Sequence, residues 1–224
     1  MTLRAGSVLL GAGGHARVVS CSMAAAGQPL QGLLDPALAR RGTAEWQGLP
    51  VLGDDDWLET ADPSRVLLAN GLGDMPTSAR RREIFERWVA RGFSFETVIH
   101  PSAVVSADLV AGQGVQLMAG TVIQPGVTIG ANTVVNTRAS VDHEVSLGKH
   151  VHVCPGAVLC GDVRIGDRSY IGPGAVIGRG VRIGEDCIIG AGSVVVKNVV
   201  PGARVLPRKP RIEYHPTGSQ ESGT

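Results

Sequence analysis

The sequence predicts a small parallel α/β domain followed by a parallel β-solenoid, and three observations carry the prediction. The first is a repeat. Every sixth residue from Ile99 to Val195 is apolar, seventeen positions in succession, with Ala111 the weakest. The second is what accompanies it. Small residues recur four places after many of these positions (Ala103, Thr121, Thr133, Ala139, Ala157, Ser169, Ala175, Cys187, Ser193), and glycine often follows directly (Gly130, Gly148, Gly166, Gly172, Gly178, Gly184, Gly190). The third is a succession of strand and helix patterns ahead of the repeat.

A short fixed repeat has to be accounted for before any single element. A period of six fits neither the helical ~3.6 nor the two-sided strand's ~2. It fits a coil with three flat faces of six residues each, so that one coil takes about 18 residues and residues i and i+18 stack. The large aliphatic fills the prism, and the small residue points inward near a corner. The glycines are expected to serve corners that need unusual φ. The run has no insertion, so about five to six coils stack without a break.

Ahead of the repeat, Ser7-Val8-Leu9-Leu10 reads as a buried strand. Gly11-Ala12-Gly13-Gly14-His15-Ala16 follows, then a helix to about Ala26, ended by Gly27. Short strands are expected at Gly32–Leu34, stopping at Asp35-Pro36, and at Val51-Leu52. Asp54 to Glu59 reads as a short helix and Arg65–Ala69 as a strand ending in Asn70-Gly71-Leu72-Gly73. Thr77 to Arg91 has helical spacing, with Ile84 and Trp88 on one face and Arg80, Arg81, Arg82 and Arg87 on others; the Arg80-Arg81-Arg82 cluster reads as a solvated helix face, with a phosphate patch as the alternative, and Phe93–Val98 is the last strand. Strands alternating with helices imply a small parallel sheet. Gly11-x-Gly13-x-x-Ala16 between a strand and a helix has the form of a Rossmann-like phosphate turn, in which glycines let backbone N–H groups approach a phosphate at a helix N-terminus. Asp35, at the end of the second strand, stands where an acid usually meets a ribose hydroxyl. The domain is about half the size of a full dinucleotide fold, so a mononucleotide or nucleotide-sugar fits better than NAD.

Composition narrows the classes. The net charge of +1 points to neither nucleic acid nor an anionic membrane surface. No apolar run approaches the ~18–20 residues that span a bilayer. Cys21, Cys154, Cys160 and Cys187 form no C-x-x-C pair, which suits a reduced, cytoplasmic setting, and Cys187 falls on an inward small position as core filler. Beyond the repeat, Arg204, Arg208, Lys209 and Arg211 form a basic tail, and the residues from Thr217 read as disordered.

The chemistry is expected at His143. It lies two residues past an inward aliphatic, near a corner and pointing outward, and Glu144 beside it can orient the ring for general-base work. In the same stacking arithmetic, Thr137, Pro155, Pro173 and Ala191 share one edge, and His143, Gly161 and Arg179 share another. A rival reading makes His143, His150 and His152 zinc ligands, but spacings of 7 and 2 do not match 18-residue stacking. Two further rivals are a scaffold with a dead site, against which the intact His143-Glu144 pair stands, and an NAD-dependent enzyme, against which the short domain stands.

Asn136-Thr137-Arg138-Ala139-Ser140-Val141-Asp142-His143-Glu144, followed by His150-Val151-His152-Val153, resembles one branch of the hexapeptide-repeat acyltransferases, and Gly-Ala-Gly-Gly-His-Ala with Asp35 resembles the same branch. These are the sugar acetyltransferases related to sialic-acid O-acetyltransferases and nucleotide-4-amino-sugar N-acetyltransferases, of the UDP-bacillosamine and GDP-perosamine types. The resemblance implies a left-handed parallel β-helix over residues 98–200, behind a Rossmann-like nucleotide-sugar-binding domain at 1–97 and ahead of a basic tail at 201–224. It implies that acetyl-CoA is the co-substrate, that no metal is used, and that the chain is a homotrimer. It gives His143 the role of general base and Glu144 that of the carboxylate raising its basicity. His152, Pro173 and Ala191 match coenzyme-contacting positions, the latter two through backbone. Gly13, Gly14, His15, Asp35 and Gly71 match positions that hold the nucleotide-sugar. The acceptor is expected to be the 4-amino group of a nucleotide-linked deoxysugar, with O-acetylation of a sialic-acid-type sugar as the alternative. The family's common ending is Gly-Val-Pro-Ala-Lys-Pro. Here the text is Gly202-Ala203-Arg204-Val205-Leu206-Pro207-Arg208-Lys209-Pro210, which alters the register of the basic residues.

Overall fold

The computed structural model describes residues 6–73, 76 and 78–207. The N-terminal part is a parallel sheet with helices. Its elements are β1 (Ser7–Leu10), α1 (Gly14–Ala25), β2 (Leu30–Leu34), α2 (Pro36–Arg40), β3 (Glu45–Trp46), β4 (Leu49–Gly53), α3 (Asp56–Thr60), β5 (Leu67–Asn70), α4 (Arg80–Ala90) and β6 (Ser94–Phe95). The sheet order is β3-β4-β2-β1-β5-β6, parallel except for the β3–β4 hairpin. The chain leaves β1 toward one edge and returns to pair β5 on its other side. That reversal opens a crevice at the carboxyl ends of β1, β2 and β5. Two elements were not legible in the sequence: α2, which starts at a proline and is capped by Asp35, and the hairpin strand β3.

Eighteen further two-residue strands follow, from β7 (Val98–Ile99) to β24 (Arg204–Val205). The stretch Phe93–Val98 is therefore two strands: β6 edges the first sheet and β7 opens the solenoid. The eighteen form three parallel sheets of seven, six and five strands. Partners such as Gln116↔Val134 and Leu117↔Val135 are 18 residues apart, as the repeat requires. We name the sheets by their opening strands: the first face starts at Val98–Ile99, the second at Val104–Val105, the third at Val110–Ala111.

The inward column forms one core of Leu117, Ile123, Ile129, Val135, Val141, Leu147, Val153, Leu159, Ile165, Ile171, Ile177, Ile183, Ile189 and Val195, each at most 5% exposed. Ile99 is 38% exposed, because the opening coil has no coil beneath it to close the prism. Small inward polar residues bind the coils to one another. Thr133 donates to Gly148 O at 2.8 Å and accepts from Val151 N at 3.0 Å, and Ser169 repeats this with Gly184 and Cys187. Cys187 is fully buried.

Two expectations are corrected here. The glycine directly after the inward aliphatic does not supply unusual φ. Positive φ falls two residues later, at Gly120, Gly126, Gly156, Gly174, Gly180 and Gly192, and at Asn132, Arg138, Glu144, His150, Asp162, Arg168 and Asp186. The earlier glycine serves close approach: a Cβ on Gly130, Gly166, Gly172 or Gly184 would lie 2.5–2.7 Å from backbone of the next coil. Second, pairing continues past residue 200, since Ile188↔Arg204 and Ile189↔Val205 close a coil that is two residues short. Arg208, Lys209, Arg211 and the stretch from Thr217 lie outside the described residues.

The outer side of the first face is covered by the N-terminal sheet and helices. Its outward column runs Val98, Gln116, Val134, His152, and these are 0%, 0%, 1% and 6% exposed. Ser22 of α1 reaches Met118 Sδ, and Asn70 of β5 donates to Asn132 Oδ1 at 3.1 Å.

Candidate active site

The crevice at the carboxyl ends of the strands is a cavity of about 350 Å³, lined by Gly13, Gly14, His15, Asp35 and Gly71 together with Asp55 and Arg80. All five residues expected to hold a nucleotide-sugar therefore share one wall system. Gly13 and Gly14 face open space: a Cβ at either would meet nothing within 4 Å, and Gly13 has an ordinary φ of −82°. Neither steric packing nor backbone conformation explains these glycines within the chain. Gly13 is also the N-cap of α1 and offers no side chain to its first turn, so N–H donors are presented to the cavity. Gly71 differs. A Cβ there would lie 2.7 Å from Leu10 O and 2.9 Å from Ala16 Cβ, so it is needed for packing of the loop itself.

Asp35 has more to do than face a ribose. Its Oδ1 accepts from Ala37 N and Leu38 N at 2.9 and 3.0 Å, capping α2, and Oδ2 accepts from Ala12 N at 3.0 Å, tying down the glycine loop. The arginine run also divides. Arg81 is 3% exposed and donates to Asn70 O and Leu72 O, so it is no part of a solvated face, whereas Arg80 lines the cavity, where the phosphate-patch alternative would put it. The sequence signal for Arg81 was faint: an arginine three residues before the apolar Ile84 on one helix.

The seam between the two parts is polar and histidine-rich. His15 Nε2–H donates to Gln116 Oε1 at 2.8 Å. His152 stacks on Tyr170 with ring centroids 5.5 Å apart. Burial, then the Arg81 charge, pull His15 down to about 4 against the hydrogen bond to Gln116. Burial, then Arg81 and His15, pull His152 down to about 3. Both rings are thus neutral at physiological pH. A depressed histidine stabilises the fold above its unfolded pKa, and that stabilisation is lost as pH falls from 6.5 through the folded value. Each histidine then steepens the loss by up to roughly 1.4 kcal/mol per pH unit. Denaturant melts should weaken from pH 6.5 toward 4, and His152→Gln should flatten that slope relative to its own pH 7 value; an unchanged slope would remove His152 from the account.

The three histidines of the solenoid part company. His150 accepts from Asn132 Nδ2 at 3.0 Å through Nδ1 and faces Glu86 through Nε2, so it belongs to the seam near α4. His152 is in the seam behind the first face. His143 alone stands outward, at the corner between the second and third faces. Among the described residues no group of three or more His, Cys, Asp or Glu is arranged to hold a metal ion.

At that corner, Glu144 occupies the positive-φ position, at 58°, which turns its side chain toward the histidine. Nδ1 of His143 lies 3.7 Å from Glu144 Oε2. The opposite edge of the ring lies on Gly161, one coil on: a Cβ there would come within 2.6 Å of Cε1 and closer still to Nε2. Gly161 has no positive φ, so backbone conformation does not require glycine; the ring above it does. A groove of about 170 Å³ runs beside the corner along the second face, lined by Val122, Gln124, Ser140, Asp142, Val158 and Cys160. Cys160, on the coil after His143 in sequence, therefore brings a thiol to the groove adjoining the histidine. Pro173 and Ala191 lie on the other edge of the second face: Gly174 N donates to Pro155 O and Gly192 N to Pro173 O, building a continuous corner. His143 and this corner thus flank one flat face from opposite sides. His152 lies on the outer side of the first face and meets Asn136, the residue before Thr137 of that corner, at 3.4 Å.

A triangular parallel solenoid joined to a strand-end crevice defines the hexapeptide-repeat transferase class. The profile of the bacterial transferase hexapeptide family, six repeats, matches residues 144–179 and 162–197. The acetyltransferase domain of PglB from Neisseria gonorrhoeae is 34% identical with a TM-score of 0.83, over 92% of this chain and 100% of that one, and is also known in complex with acetyl coenzyme A. A histidine-to-alanine variant of the GDP-perosamine N-acetyl transferase from Caulobacter crescentus, in complex with CoA and GDP-perosamine, is 34% identical with a TM-score of 0.82, over 94% of this chain and 97% of that one. PerB from Caulobacter crescentus, in complex with CoA and GDP-perosamine, is 35% identical with a TM-score of 0.82, over 93% and 97%. The chain belongs to the hexapeptide-repeat sugar acetyltransferase family, in the branch that contains the nucleotide-4-amino-sugar N-acetyltransferases.

Proposed function

We propose that the chain transfers acetyl from acetyl-CoA to the 4-amino group of a nucleotide-linked amino-deoxysugar, with His143 as general base. The observation that carries this reading is the pairing of two features in one chain: a crevice whose glycines are open to a ligand, and an outward His143-Glu144 pair seated on a glycine. A nucleotide crevice makes most sense when the acceptor carries a nucleotide. The relatives solved with CoA and GDP-perosamine support the same reading.

In this reading α1 meets a phosphate with its N–H groups, Arg80 adds charge, and Asp35 keeps a lone pair for a ribose hydroxyl. Acetyl-CoA supplies an activated thioester carbonyl. Its slender arm suits the valine-lined groove of the second face between His143 and the Pro173–Ala191 corner. Glu144 faces Nδ1–H, leaving the Nε2 lone pair of His143 as the base. Nε2 takes a proton from the amine as its nitrogen bonds to the carbonyl carbon, and returns that proton to sulfur as the C–S bond breaks. The Gly161 N–H, under the ring, is positioned as an oxyanion donor.

The second face also supports the homotrimer. Val104, Val122, Ser140, Val158, Val176 and Val194 align in one outward column, valine at every place but Ser140, and Val104 and Val194 are 64% and 69% exposed. An apolar column flanked by the two proposed edges of the site fits a second copy of the chain, and the solution mass by light scattering tests it. We read the coil as left-handed and the N-terminal sheet as Rossmann-like, with residues 1–97 as the nucleotide-sugar-binding division and the solenoid, from residue 98 through β24, as the acyltransferase division. The four free cysteines suit a reducing, cytoplasmic setting.

Product chemistry tests the acceptor. Amide formation gives a product stable to neutral hydroxylamine; an ester, cleaved by it, would move the reading to O-acetylation of a sialic-acid-type sugar.

A further inference from the structure

Four neighbouring strands of the N-terminal sheet, in the order β4-β2-β1-β5, end on the same edge, because each pairs in parallel with the next. The turns after three of them already have partners in the proposed complex: Gly71 after β5, the glycine turn and α1 after β1, and Asp35 after β2. The fourth turn follows β4 and carries Asp55, which lines the same crevice. The ends of β2 and β4 are tied together, since Asp35 N donates to Gly53 O at 3.0 Å. With a diphosphate on α1 and a ribose at Asp35, the next group along a nucleotide is the base, and the next turn along the edge is that of Asp55. The sugar lies on the far side of the diphosphate from the base.

The Asp55 carboxylate is unspent within the chain. It precedes α3 without capping it; Asp54 serves that turn instead, its Oδ1 accepting from Asp56 N at 3.1 Å. Among the described residues one cation stands within 4 Å. This is Arg87, whose Nη1 stays 3.7 Å from Asp55 Oδ2, beyond hydrogen-bond distance, while its Nη2 is held by Glu59 at 2.8 Å. The Asp55 side chain is 31% exposed. Pro36, Leu72 and Ile84 line the crevice with it and give apolar surface on which a flat ring can rest.

An ionised carboxylate only accepts hydrogen bonds, and it accepts two side by side. Among the common bases, guanine alone offers two adjacent donors, N1–H and the 2-amino group. Uracil and thymine set one donor between two carbonyl oxygens. Cytosine and adenine set an amino group beside a ring-nitrogen lone pair. Each of these four would bring a lone pair against the charge, and a buried polar edge left unpaired discriminates strongly. We propose that Asp55 selects guanine, its two oxygens accepting from N1–H and the 2-amino group, which makes the acceptor a GDP-linked amino-sugar. That the crevice holds a nucleotide-sugar rests on the proposed function; the choice of base rests on Asp55.

The test is calorimetry of the whole chain with the diphosphates of guanosine, inosine, xanthosine, uridine and thymidine. The unaltered chain should bind GDP about 10–100-fold more tightly than UDP or dTDP, and by a similar factor more tightly than inosine diphosphate, which lacks the 2-amino group. Asp55→Asn presents one acceptor and one donor. It should lose about 10–100-fold for GDP and gain affinity for xanthosine diphosphate, whose 2-carbonyl accepts where guanine donates. A merely structural role for Asp55 would weaken all five alike. UDP or dTDP binding as tightly as GDP, or inosine diphosphate matching GDP, overturns the proposal, and neither comparison needs a variant. An unchanged GDP affinity or a uniform loss across the panel in Asp55→Asn overturns it as well. Failure of every diphosphate to bind overturns it together with the nucleotide crevice. The expected base pattern without acetyl transfer to any GDP-linked amino-sugar counts against the proposed reaction alone.

Discussion

His143→Ala should lower kcat by about 10²–10⁴-fold, the usual share of a positioned general base, while KM for both substrates stays within a few-fold. The loss corresponds to about 3–5 kcal/mol of transition-state stabilisation. The geometry gives the reason. The ring is 47% exposed at a corner, with one nitrogen toward Glu144 and the other over Gly161, so nothing in the fold depends on it. Because its packing role is slight, the melting temperature should hold, and Glu144→Gln should cause a smaller fall in kcat by leaving Nδ1 without a carboxylate. Cys160 sharpens the test. It lines the adjoining groove, and direct transfer requires that Cys160→Ala keep near-normal turnover. Trapping of an acetyl-enzyme on Cys160, or a collapse of turnover in that variant with an unchanged rate in His143→Ala, would exchange the base mechanism for a covalent one.

Gly161→Ala is expected to be nearly as damaging, although the change adds one methyl group. The added carbon would fall within 2.6 Å of His143 Cε1, well inside contact distance, so the ring must swing away by an ångström or more. Displacements of that size at a reacting group cost on the order of 10²-fold. The backbone itself should accept alanine, since its φ is not in the left-handed region. The expected pattern is therefore a kcat lower by about 10²-fold with an unchanged fold by circular dichroism. In the double variant with His143→Ala, the Gly161→Ala change should add little, since its effect runs through the ring. Full additivity would show that Gly161 acts on something else.

The repeat made the solenoid legible because coil packing is local in sequence: each inward side chain meets neighbours 18 residues away, and the same period governs every coil. The crevice was legible for a related reason. Gly13, Asp35 and Gly71 sit on the turns that follow β1, β2 and β5, Gly14 and His15 open the helix after the first of them, and a parallel sheet brings these segments together. What the sequence hid depends on how the two parts dock. Gln116 and His152 occupy outward positions of the repeat, where the period predicts solvent, yet the N-terminal sheet and helices bury both. Arg81 reads as one of three similar arginines and becomes a buried donor to Asn70 and Leu72 only because α4 packs against the loop after β5. The role of Gly161 is visible only once coil stacking lays His143 over it.

The most direct measurement of the central claim is thiol release from acetyl-CoA across a panel of UDP-, GDP- and dTDP-linked 4-amino-sugars, with CMP-linked and free sialic acid alongside. The account predicts release with one of the amino-sugars and none with either sialic acid. Release with sialic acid alone, or with none of the amino-sugars while acetyl-CoA still binds, would contradict it.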